Sequence, residues 1–122
     1  MKKIMMVDDN VDLTYVVKKR LEKTKTYEVI SANSGKECLE LLKKGKLPDI
    51  ILLDIMMPEI SGWDTFAKIK ANEKWSQIPI VFLTAKTDSY SKGYGNVTAQ
   101  DYIEKPFEFS DLKKRIENIV GR

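Results

Sequence analysis

The feature of this sequence that most restricts its fold is an unbroken run of four large apolar residues, Ile50 to Leu53, between Asp49 and Asp54. The run is far shorter than the ~20 residues that a membrane-spanning helix needs. It also lacks the alternation of apolar and polar residues that is typical of a strand with one solvated face. A short run of this kind indicates a strand that is buried on both faces. Residues 49–54 are therefore predicted to lie at the centre of a parallel sheet.

The rest of the chain alternates similar apolar runs with segments of helical periodicity. Further strands are predicted over residues 3–7, 27–32, 79–84 and 100–103. Helices are predicted over residues 11–23, 63–71 and 110–120, and between the capping residue Ser34 and the terminating Gly45. This alternation predicts an α/β fold with a doubly wound, five-stranded parallel sheet. The whole chain, residues 1–122, is expected to form one domain.

Two helical segments carry more specific expectations. The third predicted helix places four residues in register on one face: Trp63, Phe66, Ala67 and Lys70. The segment between the last two strands, residues 88–98, contains two glycines and several poor helix formers. We expect a weak, short or displaced helix there, since glycine disfavours the helical conformation.

Composition excludes several classes of function. A net charge of +3 is too mild for a nucleic-acid-binding domain, and the absence of histidine excludes that residue as a base, ligand or nucleophile. No apolar run is long enough to cross a membrane and no signal-peptide pattern follows Met1, so we expect a cytoplasmic protein. The single cysteine, Cys38, rules out an internal disulfide and is predicted to be an inert core residue.

Polar residues are predicted to meet at the carboxyl ends of the strands, where parallel sheets gather their functional groups. Asp8 and Asp9 follow the first strand, Asp54 ends the third, Thr84 ends the fourth and Lys105 follows the fifth. Three adjacent carboxylates repel one another, so their ionised state requires cations. The Lys105 amine supplies one, and a hard divalent ion such as Mg²⁺ suits the remaining oxygen ligands. A carboxylate beside such an ion predicts that Asp54 accepts a phosphoryl group.

The same residues carry a resemblance that covers the whole chain. It rests on four motifs: Met-Val-Asp-Asp-Asn at 6–10, Leu-Leu-Asp-Ile-Met-Met-Pro-Glu-Ile-Ser-Gly at 52–62, Leu-Thr-Ala at 83–85 and Asp-Tyr-Ile-Glu-Lys-Pro-Phe at 101–107. In this order the motifs closely resemble the receiver domain of two-component response regulators, of the single-domain kind found among chemotaxis regulators. The resemblance implies the flavodoxin-like (βα)5 receiver fold. It also implies a signalling switch rather than an enzyme with an external substrate.

The resemblance implies roles for the residues around the phosphoryl group. Asp54 is the expected phosphorylation site. Thr84 is expected to hydrogen-bond the phosphoryl group and Lys105 to form an ion pair with it. Tyr102 occupies the position of the switch aromatic, which moves inward as the threonine turns toward the phosphate. The peptide bond before Pro106 is expected to be cis.

The resemblance also implies a metal site and partners. The expected Mg²⁺ ligands are Asp9 directly, Asp8 largely through water, Asp54, and the backbone carbonyl of Met56; Mn²⁺ is an alternative ion. A histidine kinase or a phosphotransfer protein is the expected phosphoryl donor, and a downstream protein the expected target. No nucleic-acid or membrane partner is expected. A monomer and a phosphorylation-dependent homodimer both stay open.

Three other interpretations of the sequence stay open. A flavin-binding module on the same topology needs a first loop rich in Ser, Thr and Gly, where this chain has Asp8-Asp9-Asn10. An aspartyl-phosphate phosphatase needs a second acid after the nucleophile, whereas Ile55 and Met56 follow Asp54. A receiver-like scaffold or adaptor that works without phosphorylation is a further alternative, against which the complete set of site residues argues.

Overall fold

The sheet has the predicted all-parallel architecture. The computed structural model describes residues 1–85 and 101–121. Within them, five strands pair in the order β2-β1-β3-β4-β5, and every pairing is parallel. The strands are β1 Lys2–Val7, β2 Tyr27–Ala32, β3 Ile50–Asp54, β4 Ile80–Ala85 and β5 Asp101–Lys105. β3 is central and all five of its residues are buried, as the unbroken apolar run predicts.

Helices cover both faces of this sheet. The described part of the chain contains α1 Val11–Lys23, α2 Gly35–Lys43, α3 Gly62–Lys70 and α4 Phe109–Val120. On one face the core combines Val17 and Leu21 of α1 with Leu112 and Ile116 of α4. On the other it combines Cys38 and Leu42 of α2 with Phe66 and Ile69 of α3. The doubly wound α/β fold predicted from the alternation of elements is therefore confirmed.

Local capping fixes where three of the helices begin. The Asn10 side chain accepts a hydrogen bond from the backbone N–H three residues later, and Ser34 does the same for α2. Ser61 and Asp64 form a reciprocal capping box at the start of α3. Each cap follows a loop that leaves the carboxyl end of a strand. The starts of α1 and α3 therefore hold the two loops that flank the acidic residues.

Helix side chains form hydrogen bonds with backbone groups of both edge strands, β2 and β5. On β2, Val29 donates its N–H to the Glu22 carboxylate at 3.1 Å and accepts a hydrogen bond from Lys18 Nζ at 2.8 Å. On β5, Arg115 Nη1 donates to the carbonyl of Tyr102 at 3.3 Å. Unpaired strand edges are templates for pairing with other chains, so these contacts reduce the free backbone at the edges of the sheet.

Some predicted details differ from the structure. The last strand was predicted over residues 100–103 and runs over Asp101–Lys105, so Lys105 ends the strand rather than following it. The face predicted for the third helix is only partly correct: Phe66 is buried but Ala67 is exposed, and Ile69, which was not among the four residues, is fully buried. The helix begins one residue earlier than predicted, at the cap of Ser61, and its buried stripe runs through Phe66 and Ile69.

Two further expectations concern the glycine-bearing segment before β5 and membrane-spanning helices. Residues 88–98, for which a weak or displaced helix was predicted, lie outside the described residues. Among the helices that are described, none is both long enough and apolar enough to cross a membrane.

Candidate functional site

The strand register places the acidic residues side by side at the carboxyl edge of the sheet. Val7 of β1 lies opposite Leu53 of β3, so the residues that follow them, Asp8 and Asp54, are neighbours. One carboxylate oxygen from each of Asp8, Asp9 and Asp54 lies within 4.8 Å of the other two. Asp8 and Asp54 are buried, whereas Asp9 is exposed. The structure thus brings all three predicted acids together, with two in the protein interior and one at the solvent.

Lys105 reaches the same acids from the end of β5. Its Nζ lies 2.7 Å from Asp8 Oδ2 and 3.3 Å from Asp54 Oδ1. The peptide bond between Lys105 and Pro106 is cis, as the resemblance implied. One amine therefore bridges the two buried carboxylates.

Thr84 lies on the strand next to Asp54. Leu83 of β4 is opposite Asp54, so Thr84 is one residue further along at the same edge. The threonine is buried, and its hydroxyl donates to the carbonyl of Ala85 at 3.1 Å. The predicted hydroxyl is therefore at the edge where the acids meet.

Tyr102 lies on β5, and its partly buried side chain packs against the core on the α2 and α3 face of the sheet. Its ring stacks on that of Phe82 with centroids 5.6 Å apart, and the Trp63 ring centre is 6.5 Å away. Trp63 also contacts Phe82, at 4.5 Å. The predicted switch residue is thus part of an aromatic group that joins α3 to β4 and β5.

The pKa of Asp54 is governed mainly by its burial and then by the neighbouring carboxylate of Asp8. Burial raises the pKa of the Asp54 carboxyl from 3.8 to about 7; the Asp8 charge adds to this rise and the Lys105 ammonium opposes it. Burial lowers the pKa of Lys105, but its hydrogen bonds and ion pairs with Asp8 and Asp54 outweigh that effect and the net pKa is raised. One amine does not compensate three carboxylates. A further cation is needed to keep Asp54 fully ionised near neutral pH.

The residues present fit a hard divalent ion. Three carboxylates within mutual reach are the oxygen donors that Mg²⁺ prefers, and the exposure of Asp9 gives an ion access from the solvent. Met56, whose backbone carbonyl is the further expected ligand, lies in the loop between β3 and α3 with its side chain exposed. The donor set therefore supports the predicted kind of metal.

Several residues that hold the site were given no role there from the sequence. Asn10 donates its backbone N–H to Asp8 Oδ1 at 2.9 Å, and Asn33 Nδ2 donates to the Asp8 carbonyl at 3.2 Å. Gly62 donates its N–H to the carbonyl of Ile55 at 2.7 Å. Asn33 comes directly after β2, so the same rule on strand ends that located the acids would have located it. The role of Gly62 depends on a distance that no local pattern encodes.

Comparison with known proteins identifies the family. A model of the response regulator receiver domain matches residues 4–117. The chain belongs to this family. It is a response regulator receiver domain of a two-component system.

Individual relatives agree with this assignment. The response regulator SaeR of Staphylococcus epidermidis is 38% identical over 120 residues, which is 98% of this chain and 50% of SaeR. The chain thus spans about half the length of the curated relatives it matches. A CheY-like receiver domain protein from Methanospirillum hungatei JF-1 is 40% identical, with a TM-score of 0.86 over 98% of this chain and 94% of that one. The response regulator TrrA of Thermotoga maritima, solved in complex with Mg(2+)-BeF, is 31% identical, with a TM-score of 0.83 over 98% and 99% of the two chains.

Proposed function

We propose that this receiver domain accepts a phosphoryl group on Asp54 in a Mg²⁺-dependent reaction and acts as a phosphorylation-driven switch. The observation that carries the proposal is the clustering of Asp8, Asp9 and Asp54 within 4.8 Å, with Lys105 Nζ 3.3 Å from Asp54. The similarity to TrrA, which was solved with Mg(2+)-BeF, supports the proposal, because beryllium fluoride has the tetrahedral shape of a phosphoryl group.

The chemistry is a displacement at phosphorus. A carboxylate oxygen of Asp54 attacks the phosphorus of a phosphohistidine on the donor protein. The phosphorus–nitrogen bond breaks, and its electron pair stays on the imidazole nitrogen, which takes up a proton. The product is an acyl phosphate on Asp54. Because this chain has no histidine, the phosphohistidine belongs to a histidine kinase or phosphotransfer protein.

The metal ion and the polar residues of the site each have a role in this step. Mg²⁺, when bound, offsets the charge of the carboxylates and of the transferring phosphoryl oxygens. Lys105 is already within 3.3 Å of Asp54 and forms an ion pair with the new phosphoryl group. The Thr84 hydroxyl leaves the carbonyl of Ala85 and donates to a phosphoryl oxygen. The protein acts only on itself and turns over no external substrate.

Thr84 and Tyr102 transmit the effect of phosphorylation from the site to the protein surface. As the hydroxyl turns toward the phosphoryl group, the Tyr102 ring moves further inward and changes the face that β5 and α4 present. A downstream protein that binds the changed face better shifts the population toward it. A homodimer through the same face is a second way to read out the change.

The test is direct labelling with a small-molecule phosphodonor. Intact mass is measured after incubation of the wild-type chain and of Asp54→Asn with the donor and Mg²⁺. Wild-type protein gains the mass of one phosphoryl group, and the gain disappears with a chelator and in Asp54→Asn. Absence of labelling in the wild type, or equal labelling of the variant, contradicts the proposal.

A further inference from the structure

The first residue of α3, Gly62, lies directly against the backbone that carries Asp54. A Cβ atom on Gly62 would overlap the carbonyl oxygen of Asp54 and lie 2.8 Å from Ile55 Cα. Side chains do not tolerate such distances, and the atoms in the way are backbone atoms that no rotamer change moves aside. Close approach of two backbone segments is one of the few situations that require glycine.

A short hydrogen bond fixes the same contact. The Gly62 N–H donates to the carbonyl of Ile55 at 2.7 Å, and the Ile55 N–H donates to the carbonyl of Leu83 on β4 at 3.1 Å. Ile55 is therefore held by α3 on one side and by β4 on the other. Its neighbours in the chain are Asp54 and Met56, the expected phosphoryl acceptor and carbonyl ligand. Their directions depend on how Ile55 is held.

The start of α3 is itself held in place by its cap. Ser61 Oγ accepts a hydrogen bond from the Asp64 N–H at 3.1 Å, and Asp64 Oδ2 accepts one from the Ser61 N–H at 3.3 Å. This capping box fixes the first turn of α3, and with it the position of the Gly62 N–H.

We propose that Gly62 is a positioning residue for the metal and phosphoryl chemistry of the site. It touches neither a metal ligand side chain nor the phosphoryl group. It acts by letting α3 approach closely enough to hold the backbone of Asp54 and Ile55. The inference rests on the proposed function, since it concerns how the acceptor and the carbonyl ligand are aimed. A displacement of about 1 Å at a reacting group costs on the order of 100-fold in rate.

Gly45 offers a control for loss of stability alone. It follows the end of α2, at the opposite end of that helix from the acidic edge, and its φ of 85° lies in the left-handed region that favours glycine. A Cβ added at Gly45 would meet no atom within 4 Å. Gly45→Ala thus strains the backbone without pressing on α3 or on the backbone of Asp54.

The experiment compares Gly62→Ala with Gly45→Ala. Mg²⁺ affinity is measured by titration calorimetry without phosphodonor, and stability by urea unfolding. We expect Gly62→Ala to weaken Mg²⁺ binding about tenfold or more and to slow labelling at saturating Mg²⁺ by about 10- to 100-fold. Gly45→Ala is expected to stay within about twofold of the wild type in both, even where it loses stability.

The outcomes separate this inference from the proposed function. Wild-type affinity in Gly62→Ala, or equal weakening in both variants, overturns the positioning role. Failure of the wild type to accept a phosphoryl group overturns the proposed function, while the Mg²⁺ comparison still decides the role of Gly62.

A second pair of variants covers the case in which Gly62→Ala does not fold. Ser61→Ala and Ser34→Ala each remove one N-cap without adding an atom at the site. Ser61→Ala is expected to weaken Mg²⁺ binding several-fold, and Ser34→Ala to leave it unchanged. Equal Mg²⁺ affinities in this pair overturn the proposal as well.

Discussion

Replacing Asp54 by asparagine is predicted to stabilise the metal-free protein, and to do so increasingly as the pH rises. Burial, with the Asp8 charge added to it, raises the pKa of Asp54 in the folded state to about 7, against 3.8 for an ordinary aspartate. A group whose folded-state pKa is raised contributes stability that is fully present below about pH 3.8. That contribution is lost as the pH rises through about 7. Asparagine has the same shape and carries no charge to desolvate.

The size of this stability difference follows from the difference between the two pKa values. Each pH unit in that interval corresponds to about 1.4 kcal/mol. The interval from 3.8 to about 7 therefore gives a penalty of about 4 kcal/mol for ionised Asp54 at pH 8. This is a large part of the ~5–15 kcal/mol that separates folded from unfolded domains.

The assay is urea unfolding of wild type and Asp54→Asn at pH 5, 6, 7 and 8 in the presence of a chelator. The stability difference is expected to grow in favour of the variant with each step up to pH 7 and then to level off. Glu28→Gln, which removes an exposed carboxylate on β2, controls for the loss of one charge. With saturating Mg²⁺ the advantage of the variant is expected to shrink, because ligand binding stabilises the folded wild type. A difference that does not change with pH, or a variant that is less stable at pH 8, would refute the reasoning.

Two further predictions concern the buried thiol of Cys38 and the helix cap of Asn10. Cys38 is fully buried, and burial raises the pKa of its thiol to about 12. A thiol reagent at pH 8 is therefore expected to modify Cys38 in urea but not in native buffer. Equal rates of modification in urea and in native buffer would contradict this. Asn10→Ala removes the cap of α1 and is expected to lower the free energy of unfolding by about 1 kcal/mol, whereas Asn10→Gly costs only a few tenths; equal losses in urea unfolding would exclude the capping role.

The central strand and the acidic edge were predictable because both depend on the order of residues along the chain. Ile50 to Leu53 requires burial on both faces, and this places β3 at the centre of the sheet. In a parallel sheet every strand ends at the same edge, so Asp8, Asp54 and Lys105 meet there whatever the details of the loops. These positions follow from topology, and the structure places them within ion-pair distance.

Other features depend on three-dimensional distances and could not be predicted in the same way. The phase of α3, which exposes Ala67 and buries Ile69, is set by how the helix meets the sheet after its cap. The close approach of Gly62 to Asp54 is likewise visible only in coordinates. The raised pKa of Asp54 requires the degree of burial and the distance to Asp8. Local sequence patterns carry neither quantity.

The measurement that tests the central claim most directly is chemical localisation of the phosphoryl group. After reaction with a small phosphodonor and Mg²⁺, borohydride reduces an aspartyl phosphate to homoserine, which peptide mass mapping assigns to one position. The account predicts homoserine at position 54 and unmodified Asp8 and Asp9. Homoserine at position 8 or 9, or a stable phosphate on Thr84, would contradict it.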